Sequence, residues 1–262
     1  MPEPGFYPDI PEDTYHADPG SLSVSGAKTL LKAPALFDYQ RTNPVHKDVF
    51  DEGSAAHKLV LGVGNPIEEI KADSWRTKAA QAARDAAYEV GHIPVLTETY
   101  LRVQEMAEAI KTNAAVMALL TDGAPEISAW CLDEATGVMR RGRFDYLGPR
   151  VIVDYKTAAN ASPEAFRKAC VDYGYAMQAA WYLDLAADLG HPAEGFGFIA
   201  QEKTPPYLVE IYDLDDDFLD WGRNRNRLAL EIYRDCTAAG SWPGYTPTGI
   251  TTLSAPRWLV AS

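Results

Sequence analysis

The stretch "GRFDYLGPRVIVDYKTA", residues 142–158, constrains this chain more than any other. Val151, Ile152 and Val153 open what reads as a buried strand, which then carries Asp154 and Lys156. Charges at the end of an apolar strand cost stability unless they find partners. Side chains alternate along a strand, so Asp154 and Lys156 share one face, roughly 7 Å apart, and Val151, Val153 and Tyr155 share the other. A two-residue turn at Gly148-Pro149 sets Asp145 opposite Ile152, on the Asp154 face and one same-face step away. Two carboxylates and an ammonium then share a patch of sheet. Carboxylates this close repel, and one stays protonated unless a cation lies between them. A hard divalent ion such as Mg²⁺, with Mn²⁺ as a substitute, suits such oxygen ligands. Beside it, a lysine adds fixed positive charge and a means of managing protons. That equipment matches phosphodiester hydrolysis, where charge develops on the attacking and leaving oxygens.

A bare D-x-K is common by chance on solvated sheet faces, so other segments must support the reading. "YAMQAAWYLD" places Gln178 and Tyr182 at i, i+4, on one helix face. Their polar ends make sense facing a polar centre, although helices often carry such a pair on a solvated side. "GSAAH" puts His57 on a short helix. A lone histidine is usually a packing residue, yet imidazole is also a common metal ligand. Glu126 opens the first strand of the pattern below, within reach of the same patch, or is simply a surface residue after Pro125.

Hydrophobic periodicity divides the chain into blocks. Residues 1–20, rich in proline, glycine and acids, read as an irregular lead-in. Residues 21–121 read as helical. Ser25 caps a helix carrying Leu30, Leu31 and Ala35 and interrupted or kinked at Pro34; further helices follow at 50–62, 74–90 and 97–121. The period then changes to two. Strands at 126–132, 138–147 and 151–156, joined by "DEATG" and "GP", predict an antiparallel meander. Ser162-Pro163-Glu164 starts a helix, and a second runs from 175 to 189. "GFGFIAQEK" and "YLVEIYDL" are later strands, a last amphipathic helix spans 215–239, and 246–262 is an irregular tail. The whole, 1–262, reads as one mixed α/β domain with its core at 122–245.

The net charge of −13 argues against a simple nucleic-acid binder, whose affinity comes from basic surface. Local positive charge is confined to "RRGR" (140–143), "WRTK" (75–78) and "GRNRNR" (222–227). Cys131, Cys170 and Cys236 are odd in number and scattered, which fits reduced thiols of a cytoplasmic protein and falls short of an iron–sulfur ligand set. No apolar run is long enough to span a bilayer, and the acidic, proline-rich start is not a signal peptide. "GVGNP" at 62–66 lacks the lysine of a nucleotide-binding loop.

Taken in order, these segments resemble the RecE-like exonucleases of the PD-(D/E)XK nuclease superfamily. The likeness runs through the lead-in "GFYPDIPEDTYHADPGSLSVSGAKTLLKAPALF", the histidine helix "FDEGSAAHKLVL", "WRTKAA", the glutamate strand "EISAW", "GRFDYL", "VIVDYKT", the Q-x-x-x-Y helix "YAMQAAWYLD", and the closing "IAQEKTPPYLVEIY" and "WPGY". It implies a restriction-endonuclease-like core, a central mixed sheet flanked by helices, behind a helical N-terminal region. It also implies that Asp145 and Asp154 are metal ligands, helped by the Tyr155 backbone carbonyl and His57. Lys156 would act on the attacking water, Gln178 and Tyr182 would support the site and substrate phosphate, and Glu126 would bind a second metal or water. The implied activity is Mg²⁺-dependent, processive 5′→3′ digestion of linear double-stranded DNA from an end. Implied partners are DNA ends, further copies in a ring around the duplex, and a single-strand annealing protein in phage recombination, in the cytoplasm of a bacterial host and not on a membrane. A superfamily endonuclease or single-strand nuclease, and a catalytically silent DNA-end-binding scaffold, are the alternatives. The second acid is Asp where Glu is commoner, which shortens its reach by one methylene.

Overall fold

The computed structural model describes residues 2–43, 49–246 and 249–256. In chain order its elements are β1 (Gly5–Tyr7), α1 (Glu12–His16), β2 (Ser21–Ser23), α2 (Val24–Leu30), α3 (Pro34–Thr42), α4 (Val49–Leu61) and β3 (Ile67–Ile70). Then come α5 (Lys78–Glu89), β4 (Ile93–Leu96), α6 (Thr97–Lys111), α7 (Ala114–Leu119), β5 (Ala124–Asp133), β6 (Val138–Leu147) and β7 (Val151–Ala158). The chain continues as α8 (Pro163–Asp172), α9 (Tyr175–Asp188), β8 (Gly195–Glu202), β9 (Val209–Tyr212) and α10 (Asp216–Ala239).

The period-two segments form the expected meander, β5-β6-β7, at the heart of a sheet ordered β1-β5-β6-β7-β8-β9. Its neighbours are antiparallel except β7 and β8, which run parallel. Parallel neighbours need a long crossover, and α8 with α9 supplies it. Helices cover both faces. On one, Trp181, Tyr182 and Leu185 of α9 pack on Phe144, Ile152, Phe196 and Phe198. On the other, Ala55 and Ala56 of α4 and Val103, Met106 and Ile110 of α6 pack on Tyr146, Val153, Tyr155 and Ile199. A strand covered on both sides is apolar throughout rather than alternating, which accounts for Val151–Val153. The architecture is the expected mixed α/β core with a central mixed sheet flanked by helices.

The N-terminal third departs from its reading. The lead-in is not irregular: β1 pairs with β5, and α1 follows it. The block read as helical also contains three short strands. Of these β2 runs parallel to β6, and β3 and β4 pair with each other. Runs of three or four residues are too short for periodicity to reveal. Ser23, not Ser25, caps α2, its Oγ accepting from Gly26 N at 3.1 Å. Pro34 marks an interruption rather than a kink: α2 ends at Leu30 and Pro34 begins α3, where its missing N–H costs nothing. The 74–90 segment becomes helical only at Lys78, behind Thr77 as cap, and 97–121 divides where Asn113 caps α7. The described tail residues carry no helix or strand, and 247–248 and 257–262 lie outside the described residues.

Candidate active site

The site lies where β6 loses its neighbour. At one end β6 pairs with β2 at residues 139–141, and at the other with β7 at Tyr146 and Leu147. Both partners use the same edge of β6, the one not taken by β5, so residues 142–145 face an open gap. Gly148-Pro149 does not make a two-residue turn: Leu147 pairs with Ile152, and residues 148–151 form the connection. The register is therefore two residues from the expected one. An even shift preserves faces, and it carries Asp145 past Ile152 to the level of Asp154. Ladder pairing stops at Tyr146 and Val153, and these two acids are the next residues beyond it.

Asp145 also marks a break in alternation. Phe144 packs in the α9 core and Tyr146 in the α4 core, where strict alternation would set both on one face. Opposite Asp145, Glu126 has φ 54, a left-handed backbone uncommon for a residue with a side chain, and the β5–β6 ladder skips that pair. With no β6 carbonyl available, the Tyr155 N–H donates to Asp145 Oδ2 at 2.9 Å. Because the N–H and C=O of a strand residue point to the same edge, the Tyr155 carbonyl faces this gap too. On the far face the Tyr155 hydroxyl donates to Gln201 Oε1 at 2.6 Å, and Gln201 Nε2 donates to Met106 O at 2.9 Å, tying β7 through β8 to α6.

The predicted residues converge from five elements, β5, β6, β7, α4 and α9. Lys156 Nζ lies 2.6 Å from Asp154 Oδ2. Gln178 of α9 donates to Asp154 Oδ1 at 2.6 Å. His57 of α4 bridges two acids, Nε2 at 3.0 Å from Asp145 Oδ2 and Nδ1 at 3.3 Å from Glu126 Oε1. Tyr182 stands apart from the carboxylates. Its ring packs against Phe144 at 5.1 Å, and its buried hydroxyl faces the Arg143 backbone N–H. Gly142 permits this, since a Cβ there would stand 2.7 Å from the Tyr182 ring.

Electrostatics set the two aspartates apart. Burial, and then the Asp145 charge, push Asp154 up to about 6 against the pull of Lys156. Burial also acts to raise Asp145, but the His57 charge and hydrogen bond, Lys156 and the Tyr155 N–H outweigh it and hold the carboxyl below its usual range. Burial alone would lower His57; Asp145 and Glu126 reverse that and raise it to about 9. Lys156 is raised despite burial, by Asp154 and then Asp145. Burial raises Glu126, with Asp145 adding to it and His57 opposing.

The donors fit a hard divalent cation. Ligand atoms of His57, Glu126 and Asp145 all lie within 4.8 Å of one another. Asp154 Oδ2 is buried and lies against the Lys156 ammonium at 2.6 Å. The imidazolium now holds the place a cation would take between Asp145 and Glu126.

Sequence reasoning overlooked Arg143 as a contributor. Arg143 reaches Glu126 Oε2 at 3.7 Å while donating to Ser128 Oγ and Ile10 O, so it anchors the glutamate and the lead-in together. The available signal was its position on β6, two residues before Asp145. Most other arginines of "RRGR" and "GRNRNR" are paired: Arg140 with Asp188, Arg141 with Asp18 O and Ser21 O, Arg223 with Asp184 and Asp220, and Arg227 with Asp133, while the buried Nε of Arg225 has no partner among the described residues. Among the described residues no helix is long and apolar enough to cross a membrane.

Comparison with known proteins agrees with this geometry. A crystal structure of a "Putative exonuclease" from Eubacterium rectale superposes with a TM-score of 0.65 at 15% identity, covering 97% of each chain, a likeness of fold. A second solved structure, SSO0001, reaches a TM-score of only 0.31 at 12% identity over 74% of this chain and 87% of its own, too little to carry weight. No curated protein matches the sequence. The family described as "PDDEXK-like domain of unknown function (DUF3799)" matches residues 23–249, and this chain belongs to that family.

Proposed function

We propose that this chain is a metal-dependent deoxyribonuclease that digests linear double-stranded DNA from an end, a RecE-like exonuclease working 5′→3′ in phage-type recombination. One observation carries the reading: a buried and a half-buried aspartate of opposed acidity, Asp154 and Asp145, share the strand gap with Lys156 and Gln178. A silenced scaffold has no physical reason to keep a buried carboxylate that its neighbour repels, which favours an enzyme. The fold shared with the E. rectale protein and the PDDEXK-like family membership support the class.

Asp145, Asp154 and the Tyr155 carbonyl would hold Mg²⁺ or Mn²⁺, with His57 and Glu126 completing the set. When bound, the ion supplies Lewis acidity to the phosphoryl group. Enzymes that cleave such bonds need accelerations on the order of 10¹⁵-fold, and positioning supplies only ~7–11 kcal/mol of that. Electrostatics must carry the remainder. Gln178 fixes the Asp154 carboxylate. Lys156, charged at neutral pH and turned toward the gap, orients the attacking water and offsets developing negative charge. His57 must give up its proton before its nitrogen can act as a ligand, so metal uptake releases a proton. The net charge of −13 is compatible with DNA if copies form a ring whose channel gathers the free cations, such as exposed Arg76 and Lys78. The test compares linear duplex with covalently closed circular duplex in Mg²⁺. The exonuclease reading expects nucleotide release from the linear form alone, and cleavage of the circle would contradict it.

A further inference from the structure

Lys28, on α2, is the second lysine at this site. Its ammonium lies 5.9 Å from the centre of the Tyr175 ring, and Lys156 Nζ lies 5.3 Å from the same centre. Phe166 and Phe198 hold that ring, at centroid distances of 5.7 and 5.5 Å, so the surface it offers both cations is fixed. The Lys28 stem lies along Gly174, the left-handed residue before α9 (φ 65), where a Cβ would stand 3.1 Å from Lys28 Cε. Glycine thus serves the position twice, by backbone conformation and by leaving the lysine room.

Among the described residues no carboxylate pairs with Lys28, whereas Lys156 has Asp154. Burial and then Lys156 push Lys28 down to about 7, against the pull of Asp154. Two ammonium groups on one aromatic ring repel each other, and an anion between them would relieve both. On a nuclease that anion is a phosphate of the substrate strand.

We propose that Lys28 binds a non-bridging oxygen of a substrate phosphate, so that Lys28, Tyr175 and Lys156 form one cradle presenting the strand to the carboxylates. This rests on the nuclease reading and names a substrate-binding residue for it. Each phosphate neutralised by a cation adds about 0.9 to the slope of log affinity against log salt on duplex and about 0.7 on single strands. Loss of packing alone would not alter that slope.

The experiment is a salt titration of labelled linear duplex binding, in EDTA to prevent cleavage, on wild type, Lys28→Gln and Lys28→Arg. Mg²⁺ digestion kinetics accompany it. Lys28→Gln should lower the slope by about 0.7–0.9, weaken binding about tenfold, and raise KM more than it lowers kcat. Lys28→Arg should recover the wild-type slope. A Lys28→Gln variant that keeps the wild-type slope while wild type binds and digests DNA overturns the proposal and leaves the nuclease reading standing. An equal loss of slope in Lys28→Arg also overturns it, since retained charge would then count for nothing. A wild type that neither binds nor digests DNA overturns the nuclease reading itself.

Discussion

Two groups of buried charge lie along β6, one toward each end, and they are built to opposite rules. Toward its start, Arg140 is matched by Asp188, Arg141 by backbone and hydroxyl oxygens of the lead-in and β2, and Arg227 by Asp133 in a two-pronged contact of 2.8 and 3.0 Å. Burial would raise Asp133, but hydrogen bonds from Arg227 and Thr136 and the Arg227 charge hold it down at about 2. Toward the other end, Asp154 is pushed up to about 6 even with the Lys156 ammonium 2.6 Å from its Oδ2. The first group gives each arginine an oxygen partner, though the Nε of Arg140 and of Arg141 is left without one among the described residues, and it ties α10 and the lead-in to the sheet. The second pairs its aspartates with Lys156 and His57 yet sets the two carboxylates against each other at the point where β6 and β7 part. Stability comes from matched charge and chemistry from mismatch.

The comparison breaks most decisively at Asp154. Its folded pKa is raised, so the ionised form costs stability above about pH 6 and a neutral isostere removes that cost. Asp154→Asn should therefore raise stability by about 1–2 kcal/mol at neutral pH while lowering DNA digestion on the order of a thousandfold or more. Thermal unfolding and a digestion time course read both. A destabilised variant would remove the claim of frustration.

Asp133→Asn should behave in the reverse way, losing about 2 kcal/mol with digestion unchanged. The folded pKa of Asp133 is depressed, so its contribution is present above about pH 3.8 and lost as pH falls through about 2. Urea unfolding of wild type and variant at neutral and acid pH checks this, and equal acid sensitivity would contradict it.

The smallest effect sharpens the contrast at His57. Its folded pKa of about 9 lies above the ordinary 6.5. Its contribution to the metal-free protein is therefore full below pH 6.5 and disappears as pH rises through 9. Wild type in EDTA should exceed His57→Gln by about 3 °C in Tm at pH 6, the gap closing by pH 9. Taking the difference cancels Lys28, whose lowered pKa gives both proteins a slope of opposite sign. A gap constant with pH would show that the imidazole does not act through charge.

Much of the site was legible in the sequence because a strand's period of two is rigid. Asp154, Lys156, Val153 and Tyr155 were assigned to their correct faces from residue order alone. Asp145 joined them even though the turn was misjudged, because the register error was even. Gln178 reached Asp154 because an apolar helix with one amide must aim it at something polar. Tyr182 was less legible, since the same spacing also suits a core residue, and the Phe144 ring claimed it. Arg143 and Lys28 were not legible. The contacts of Arg143 to the lead-in and of Lys28 to Tyr175 join segments more than a hundred residues apart, which no local pattern records. The short strands of the N-terminal third were missed because their stability comes from pairing with β5, β6 or each other, not from their own sequence.

The central claim is that the charges in the β6–β7 gap perform phosphodiester hydrolysis. The most direct measurement is a Mg²⁺ digestion time course of linear duplex with strands labelled separately at each end, wild type beside Lys156→Ala. The account predicts progressive loss of one end label in wild type, and no digestion by a variant whose circular dichroism spectrum matches wild type. Full residual activity in Lys156→Ala would contradict it.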